Sequence, residues 1–132
     1  MPKPLECGII VSGSRNYNNY EEFKAKMDEA LCRLKTKYPI VILEGGAKGA
    51  DALAVRYAKE FGHPYIEFKA DWDTWGKRAG MMRNVEMLTY AIDYCERRGL
   101  IAFPAKDSIG TRGMISIAEK AKVQTRVFEI VG

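Results

Sequence analysis

The segment 44–54 carries the residue types and spacing that point most directly to chemistry. It reads EGGAKGADALA and follows the apolar run 39–43, so a short β-branched strand stops at paired glycines and restarts as an alanine-rich helix. Such a corner aims the free N–H groups and the positive dipole end of the new helix at one point. The glycines leave room for a phosphate to approach the main chain. The corner therefore predicts an anionic, nucleotide-like ligand.

Other glycine-bearing turns also follow apolar runs. Gly13, Ser14 and Arg15 end the first run, and the loop 105–113 follows the run 100–103. Ser14 offers a hydroxyl group to an anion, and Arg15 offers a planar cation. Ligands of parallel sheets bind beyond the carboxyl ends of the strands. We therefore expect these turns to open on the same edge as the corner at 44–54.

The elements that must position these turns can be read from the apolar periodicity. The pattern predicts strands at 7–12, 40–43, 65–68, 100–103 and 125–131, and helices at 20–37, 49–61, 78–98 and 114–121. The inner stripe of the third helix is expected to hold Met82, Val85, Leu88, Ile92 and Cys95. Continuously apolar strands are typical of burial on both faces. The sequence thus predicts a three-layer α/β sandwich with a mostly parallel five-stranded sheet, in one domain spanning residues 1–132.

Composition narrows the class of protein. The chain is 47% hydrophobic and 29% charged, which is ordinary for a globular protein, and no apolar run approaches the ~20 residues of a membrane span. The net charge is +4, but the basic residues are interspersed with acids, which favours a mixed-charge surface. Three separated cysteines and a single histidine favour a reduced, cytoplasmic protein without a metal site.

Six motifs in order carry a family resemblance: G-S-R at 13–15, G-G-A-K-G-A-D-x-L-A at 45–54, A-D-W at 70–72, A-G-M-M-R-N-x-E-M at 79–87, A-F-P at 102–104 and G-T-R-G-M at 110–114. With this spacing they are similar to the SLOG superfamily, and most to its small YspA-type (cpYpsA-related) branch. The resemblance implies a single Rossmann-like domain distantly related to the LOG-type phosphoribohydrolases, which act on nucleoside monophosphates. Other members are thought to bind nucleotides or NAD-derived signals.

The turns and the resemblance together predict these ligand-binding residues: Gly13, Ser14, Arg15, Gly45, Gly46, Gly49, Asp51, Trp72, Arg83, Asn84, Gly110, Thr111 and Gly113. Arg83 and Asn84 resemble the Arg-Lys pair of LOG-type enzymes, whose arginine contributes to the active site. Asp51 either caps its own helix or binds a ribose hydroxyl. Trp72 and Trp75 either stack on a base or serve as core or interface residues.

The last motif bears on catalysis. In LOG-type enzymes, acidic residues that take part in glycosidic cleavage follow the G-T pair, whereas Arg112, Gly113 and Met114 stand here. The sequence therefore favours a sensor or sequestering module for a nucleotide or an ADP-ribose or NAD-like ligand, without a cofactor. The alternative is a nucleotide N-glycosidic hydrolase that uses Arg83 with Glu86 or Asp51. The remaining candidates for its acid or base are Glu44, Asp71 and Asp73.

Two expectations concern partners. Binding of single-stranded nucleic acid requires stacking aromatics above a cationic groove, and outside the predicted helices and strands large aromatics cluster mainly at Trp72 and Trp75. Nucleic acid is therefore the least favoured partner. Met81, Met82 and Met87 make the third helix methionine-rich, which suits an interface or a core equally. Because LOG-type relatives form dimers, the resemblance implies a homo-oligomer.

Overall fold

The computed structural model describes residues 6–131, in which strands and helices alternate. The strands are β1 (Cys7–Gly13), β2 (Ile40–Glu44), β3 (Tyr65–Glu67), β4 (Arg97–Phe103) and β5 (Gln124–Val127). The α-helices are α1 (Tyr20–Leu31), α2 (Ala50–Phe61), α3 (Trp72–Trp75), α4 (Ala79–Tyr94) and α5 (Ile109–Lys120). A turn of 3₁₀-helix at Gly76–Arg78 joins α3 to α4.

The five strands form one parallel sheet in the order β3-β2-β1-β4-β5. Central β1 places Ile10 beside Leu43 of β2 and beside Leu100 of β4. The chain runs outward from β1 to β3 and then returns to the other side of β1 to form β4. The direction of winding thus reverses between β1 and β4, and at this switch point the adjacent loops diverge and leave a crevice.

Alternation along β1 divides the core into two layers. Ile9 and Val11 pack with Phe23 in the layer covered by α1 and α2, and Ile10 packs with Met87 in the layer covered by α4 and α5. All five side chains are almost completely buried. The predicted three-layer sandwich with a parallel five-stranded sheet is therefore confirmed.

The predicted inner stripe of α4 was partly wrong. Met82 and Val85 are 37% and 43% exposed, whereas Ala79, Asn84 and Met87 are buried. The reason is that the amide side chain of Asn84 donates to the carbonyl oxygen of Gly110 in α5, which turns that face of α4 inward. An apolar periodicity counts asparagine as a surface residue and so misplaces the stripe.

The start of α5 also differs from the prediction. The helix begins at Ile109 rather than at Met114, so Gly110, Thr111 and Gly113 lie within its first turns and not in a loop. Glycines in a predicted loop conceal a helix start, because glycine is a weak helix former. The helix N-terminus consequently lies closer to the end of β4 than the sequence indicated.

The bounds of several other helices and strands differ from the predicted bounds, because the apolar pattern of side chains does not report main-chain hydrogen bonding. Helix α1 ends at Leu31, and residues 32–37 form turns instead of the predicted last part of the helix. Strand β4 begins at Arg97, since its charged first residues pair with β1 through the main chain. Strand β5 covers Gln124–Val127 rather than 125–131. Part of the predicted loop at 70–77 forms α3.

Two further features of residues 6–131 concern membranes and metal ions. None of the helices in this range has the length and apolar character needed to cross a membrane. In the same range, no group of three or more His, Cys, Asp or Glu side chains is arranged to hold a metal ion. Cys7 and Cys95 are buried free thiols, and Cys32 is exposed.

Candidate functional site

A cleft of about 310 Å³, here called the first cleft, lies at the switch point between β1 and β4. Its walls come from the turn after β1, the segments at the start of α2 and α5, and the first half of α4. The lining residues are Ser12, Gly13, Ser14, Arg15, Asn16, Ala47, Asp51, Arg83, Asn84, Asp107, Ser108, Ile109, Gly110 and Thr111. The turns after β1, β2 and β4 therefore meet at one edge of the sheet.

A larger cleft of about 650 Å³, the second cleft, lies beside it beyond β2 and β3. The residues that line it alone are Gly45, Gly46, Lys48, Glu67, Lys69, Ala70 and Trp72. Arg15, Asn16, Ala47 and Arg83 line both clefts. Two arginines thus stand at the boundary between the clefts.

The N-terminus of α5 points free amides at the first cleft. The amide of Ile109 donates to the carbonyl oxygen of Asp107, and the amide of Arg112 donates to that of Ser108. The amides of Gly110 and Thr111 have no acceptor among residues 6–131. N-terminal amides of a helix lack intrahelical partners and sit at the positive end of its dipole. The hydroxyl of Ser12 reaches the Thr111 hydroxyl at 3.3 Å. This is a ready site for an anion.

Arg83 is held in place by a chain of hydrogen bonds. Its Nη1 donates to the carbonyl oxygen of Gly45 at 2.8 Å, and its Nε donates to Oδ1 of Asn84 at 3.0 Å. The Nδ2 of Asn84 in turn donates to the carbonyl oxygen of Gly110 at 3.3 Å. The chain ties the turn after β2 to the start of α5 through α4. The guanidinium group is therefore oriented before any ligand arrives.

The glycine turn after β2 does not offer the amides that the sequence predicted. The amides of Gly45 and Ala47 donate to Oδ2 of Asp51 at 3.2 and 3.1 Å, and the amide of Gly46 donates to Oε1 of Glu44 at 2.7 Å. Carboxylates of the protein itself occupy the places of a bound anion. The expectation that these amides face a phosphate does not hold in this structure, although Gly45 and Gly46 line the second cleft.

Asp51 does not cap its own helix, which was one of its two expected roles. The N-cap of α2 is Gly49, which makes no side-chain cap hydrogen bond, and Asp51 accepts instead from two amides of the preceding turn. Burial raises the pKa of Asp51, while the amides of Ala47 and Gly45 and the Arg83 guanidinium oppose that rise. Asp51 lines the first cleft, so binding of a ribose hydroxyl stays a prediction.

Two predicted glycines serve close approach of the main chain. A Cβ on Gly49, whose φ is +75°, would lie 2.6 Å from the carbonyl carbon of Arg15, and the next amide, of Ala50, donates to the carbonyl oxygen of Ser14. A Cβ on Gly13 would lie 2.7 Å from the carbonyl oxygen of Phe103. These glycines bring the turn after β1 against α2 and β4. Gly49 itself lines neither cleft.

Glu44, considered above as an acid or base, is a buried carboxyl at the end of β2 that was not among the predicted ligand-binding residues. It is 1% exposed, and its Oε2 has no hydrogen-bond partner among residues 6–131. Burial raises its pKa to about 7; the amide of Gly46 and Arg83 oppose the rise, and the carboxylates of Asp51 and Glu67 add to it. The signal in the sequence that could have indicated a buried carboxyl group is the position of Glu44 directly after the apolar run 39–43.

The structure separates the predicted site residues into three groups. The first cleft contains Gly13, Ser14, Arg15, Asp51, Arg83, Asn84, Gly110 and Thr111. The second adds Gly45, Gly46 and Trp72. Gly49, Gly113, Glu86 and Trp75 line neither cleft. Sequence reasoning missed Ser12, Asn16, Asp107 and Ser108 in the first cleft, because only the fold brings the loop before α5 against β1.

Two residues near the site have structural roles. Arg112 forms a two-pronged ion pair with Glu129, at 3.1 and 3.2 Å, and donates to the carbonyl oxygen of Ala105. It thereby anchors the loop before α5 to the segment that follows β5. Asp71 accepts from the amide of Thr74 at 3.1 Å and caps α3. Asp71 is thus engaged as a helix cap.

A parallel five-stranded sheet with helices on both faces and a cleft at its switch point defines a Rossmann-like domain. Two solved structures share this fold, each at 15% sequence identity. TM1055, a structural genomics target, aligns with a TM-score of 0.59 over 91% of this chain and 72% of its own. DNA processing protein A (DprA) from Streptococcus pneumoniae aligns with a TM-score of 0.53 over 92% of this chain, which spans 58% of the DprA chain.

The chain belongs to the YspA, cpYpsA-related SLOG family (YAcAr), whose family model matches residues 8–75. A relative is the Gene 61 protein of Mycobacterium phage D29, which is 33% identical over 120 residues. That alignment covers 87% of this chain and 90% of the phage protein. The matched residues 8–75 include the turns after β1 and β2, and the phage alignment extends the similarity over most of the chain.

Proposed function

We propose that this protein binds a nucleotide or a nucleotide-derived ligand, a class that includes ADP-ribose and NAD-like molecules, as a sensor or sequestering module. The observation that carries the proposal is the convergence of Arg15, Arg83 and the free amides of Gly110 and Thr111 on the first cleft. Among residues 6–131, none of these groups donates a hydrogen bond to a carboxylate. Such a set is complementary to a phosphate.

In this proposal the phosphate binds at the start of α5 rather than at the glycine turn after β2. The amides of that turn are already satisfied by Asp51 and Glu44, and displacing them would leave buried carboxylates without donors. At the start of α5 the amides of Gly110 and Thr111 have no acceptor among residues 6–131, so a phosphate displaces no such partner there. This part of the proposal replaces the phosphate position that the sequence indicated.

Calorimetric titration with nucleoside mono- and diphosphates, ADP-ribose and NAD tests the proposal. Arg83→Ala is expected to weaken binding at least about tenfold, because a charged hydrogen bond contributes about 1.5–3 kcal/mol. Arg33→Ala is the matched control, since Arg33 is an exposed arginine that lines neither cleft. Absence of binding across the whole panel, or equal loss in both variants, contradicts the proposal.

One observation favours a hydrolase as the second candidate function. Asp51 and Asp107 line the first cleft, so carboxyl groups are present there although α5 has none in its first turn. The raised pKa of Asp51 would help it to hold a proton for a leaving base. Incubation with nucleoside monophosphates and NAD, followed by chromatography for free base, tests this candidate. Base release by the wild type that is lost in both Asp51→Asn and Arg83→Ala would favour the enzyme over the binding module.

A further inference from the structure

The second cleft is chemically unlike the first, and this difference indicates where a base would sit. The first cleft is lined mainly by hydroxyl, amide, guanidinium and carboxyl groups, and none of its lining residues is aromatic. The second contains Trp72 and is about twice as large, at about 650 against about 310 Å³. Arg15 and Arg83 line both clefts. A ligand held by its phosphate at α5 would therefore extend past the arginines toward Trp72.

Trp72 is available as a stacking surface. Its side chain is 53% exposed, and its ring approaches α4 at Gly80, where a Cβ would lie 3.8 Å from the ring. The residue begins the short helix α3, which Asp71 caps, so the main chain that carries the ring is held by local hydrogen bonds. Stacking of a base on an aromatic side chain is worth about 1–3 kcal/mol and does not depend on the base. Selection among bases must come from other groups.

Glu67 and Lys69 supply those groups. Glu67 is the last residue of β3, its side chain is 38% exposed, and its Oε2 lies 3.8 Å from Nζ of Lys69, which is 85% exposed. An exposed pair at this distance contributes little to stability, so neither partner is committed to the other. Both residues line the second cleft with Trp72. An acceptor and a donor thus stand side by side at the wall of a cleft that has a stacking ring.

We propose that Glu67 and Lys69 make the second cleft selective for guanine; this inference rests on the proposed function and narrows it. The Watson–Crick edge of guanine presents two adjacent donors, N1–H and the 2-amino group, beside the acceptor O6. A carboxylate accepts from both donors, and an ammonium group donates to O6. Adenine presents a single amino donor beside the acceptor N1, so it would set a lone pair against the carboxylate. Adenine ligands, ADP-ribose among them, bind more weakly on this scheme.

The test is a comparison of GMP with AMP, and of GDP with ADP, by quenching of tryptophan fluorescence and by calorimetry. Wild-type protein is expected to bind the guanine member of each pair at least about tenfold more tightly, because a wrong edge leaves polar groups unpaired. In Glu67→Gln the preference is expected to disappear or to reverse, because a glutamine amide matches the donor and acceptor of adenine. Glu86→Gln is the matched control, since Glu86 is exposed and lines neither cleft.

The outcomes separate this inference from the proposed function. Equal affinity of the wild type for guanine and adenine nucleotides, or a guanine preference that survives in Glu67→Gln, overturns the selectivity and leaves nucleotide binding intact. Failure of every nucleotide and of ribose 5-phosphate to bind overturns both. A second pair of variants locates the base: Trp72→Leu is expected to weaken all nucleotides but not ribose 5-phosphate, and Trp75→Leu, which alters a ring outside both clefts, is expected to change neither. Equal loss in the two tryptophan variants also contradicts the placement of the base.

Discussion

The guanidinium group of Arg83 lies against the bare Cα of Gly45 and donates to its carbonyl oxygen at 2.8 Å. A Cβ on Gly45 would stand 2.7 Å from Cζ of Arg83, so glycine is required here by the arginine. Gly45 does not have a positive φ, unlike its neighbour Gly46, whose φ is +73°. Gly45 therefore makes room for the Arg83 guanidinium group at the boundary between the clefts, rather than exposing the main chain to a phosphate.

Gly45→Ala is expected to weaken nucleotide binding at least about tenfold while costing only about 1 kcal/mol of stability. The added methyl group meets the flexible end of Arg83, which can move aside, so the fold survives and the orientation of the cation is lost. Calorimetric titration and urea unfolding of the same preparation check the two effects. Unchanged affinity with a large loss of stability would contradict the role given to this glycine.

Asp51→Ala is expected to lower the free energy of unfolding by about 2–4 kcal/mol, since the amides of Gly45 and Ala47 both lose their acceptor and are left unsatisfied. Asp51→Asn keeps an acceptor oxygen at the same position and should lose less than half as much. Urea unfolding of the two variants beside the wild type measures the difference. Equal losses would show that the charge of Asp51, and not its acceptor capacity, holds the turn.

Stability is expected to fall as the pH rises between 4.5 and about 7 because of Glu44. In the unfolded chain this carboxyl loses its proton near 4.5, whereas in the folded protein burial raises its pKa to about 7, so the folded state binds the additional proton. Its contribution is complete below the lower value and lost above the higher one. At about 1.4 kcal/mol per pKa unit, the contribution is on the order of 3 kcal/mol. The raised pKa of Asp51 acts in the same direction.

Urea unfolding at about pH 5 and about pH 8 measures this dependence. Glu44→Gln cannot ionise and should show a clearly smaller change in unfolding free energy between the two pH values. The comparison uses the difference between pH values within each protein, so any constant cost of the amide group cancels. A wild type that is more stable at the higher pH, or a variant with the same dependence as the wild type, would contradict the assignment to Glu44.

Gly113→Ala is expected to stabilise the protein by about 0.5–1 kcal/mol, because alanine is the better helix former and a Cβ at this exposed position in α5 meets no atom within 4 Å. Thermal unfolding checks the sign. Nucleotide affinity should be unchanged, since Gly113 lines neither cleft. A loss of affinity would instead restore the prediction from sequence that Gly113 contacts the ligand.

The fold was largely predictable because it rests on local patterns. β-Branched runs such as Ile40–Glu44 and helical spacing such as that of Ala50–Phe61 report burial directly, and the alternation of the two types leaves few arrangements other than a parallel sheet with helices on both faces. The errors lay where contacts are not periodic. Asn84 was expected to bind a ligand but is also a buried link to Gly110, and the glycines of α5 concealed a helix start.

The sequence by itself determined that strand-end turns would meet at one edge, where Arg15, Arg83 and Thr111 line the first cleft, because the alternation of strands with helices and the residues of each turn can be read locally. Only the tertiary structure decided which donors remain free. Asp51 and Glu44 satisfy the amides of the glycine turn after β2, whereas the amides of Gly110 and Thr111 have no acceptor within residues 6–131. The physical reason is that hydrogen bonds saturate: a donor already paired with a buried carboxylate is unavailable to a ligand, and that pairing depends on three-dimensional contact rather than on residue type.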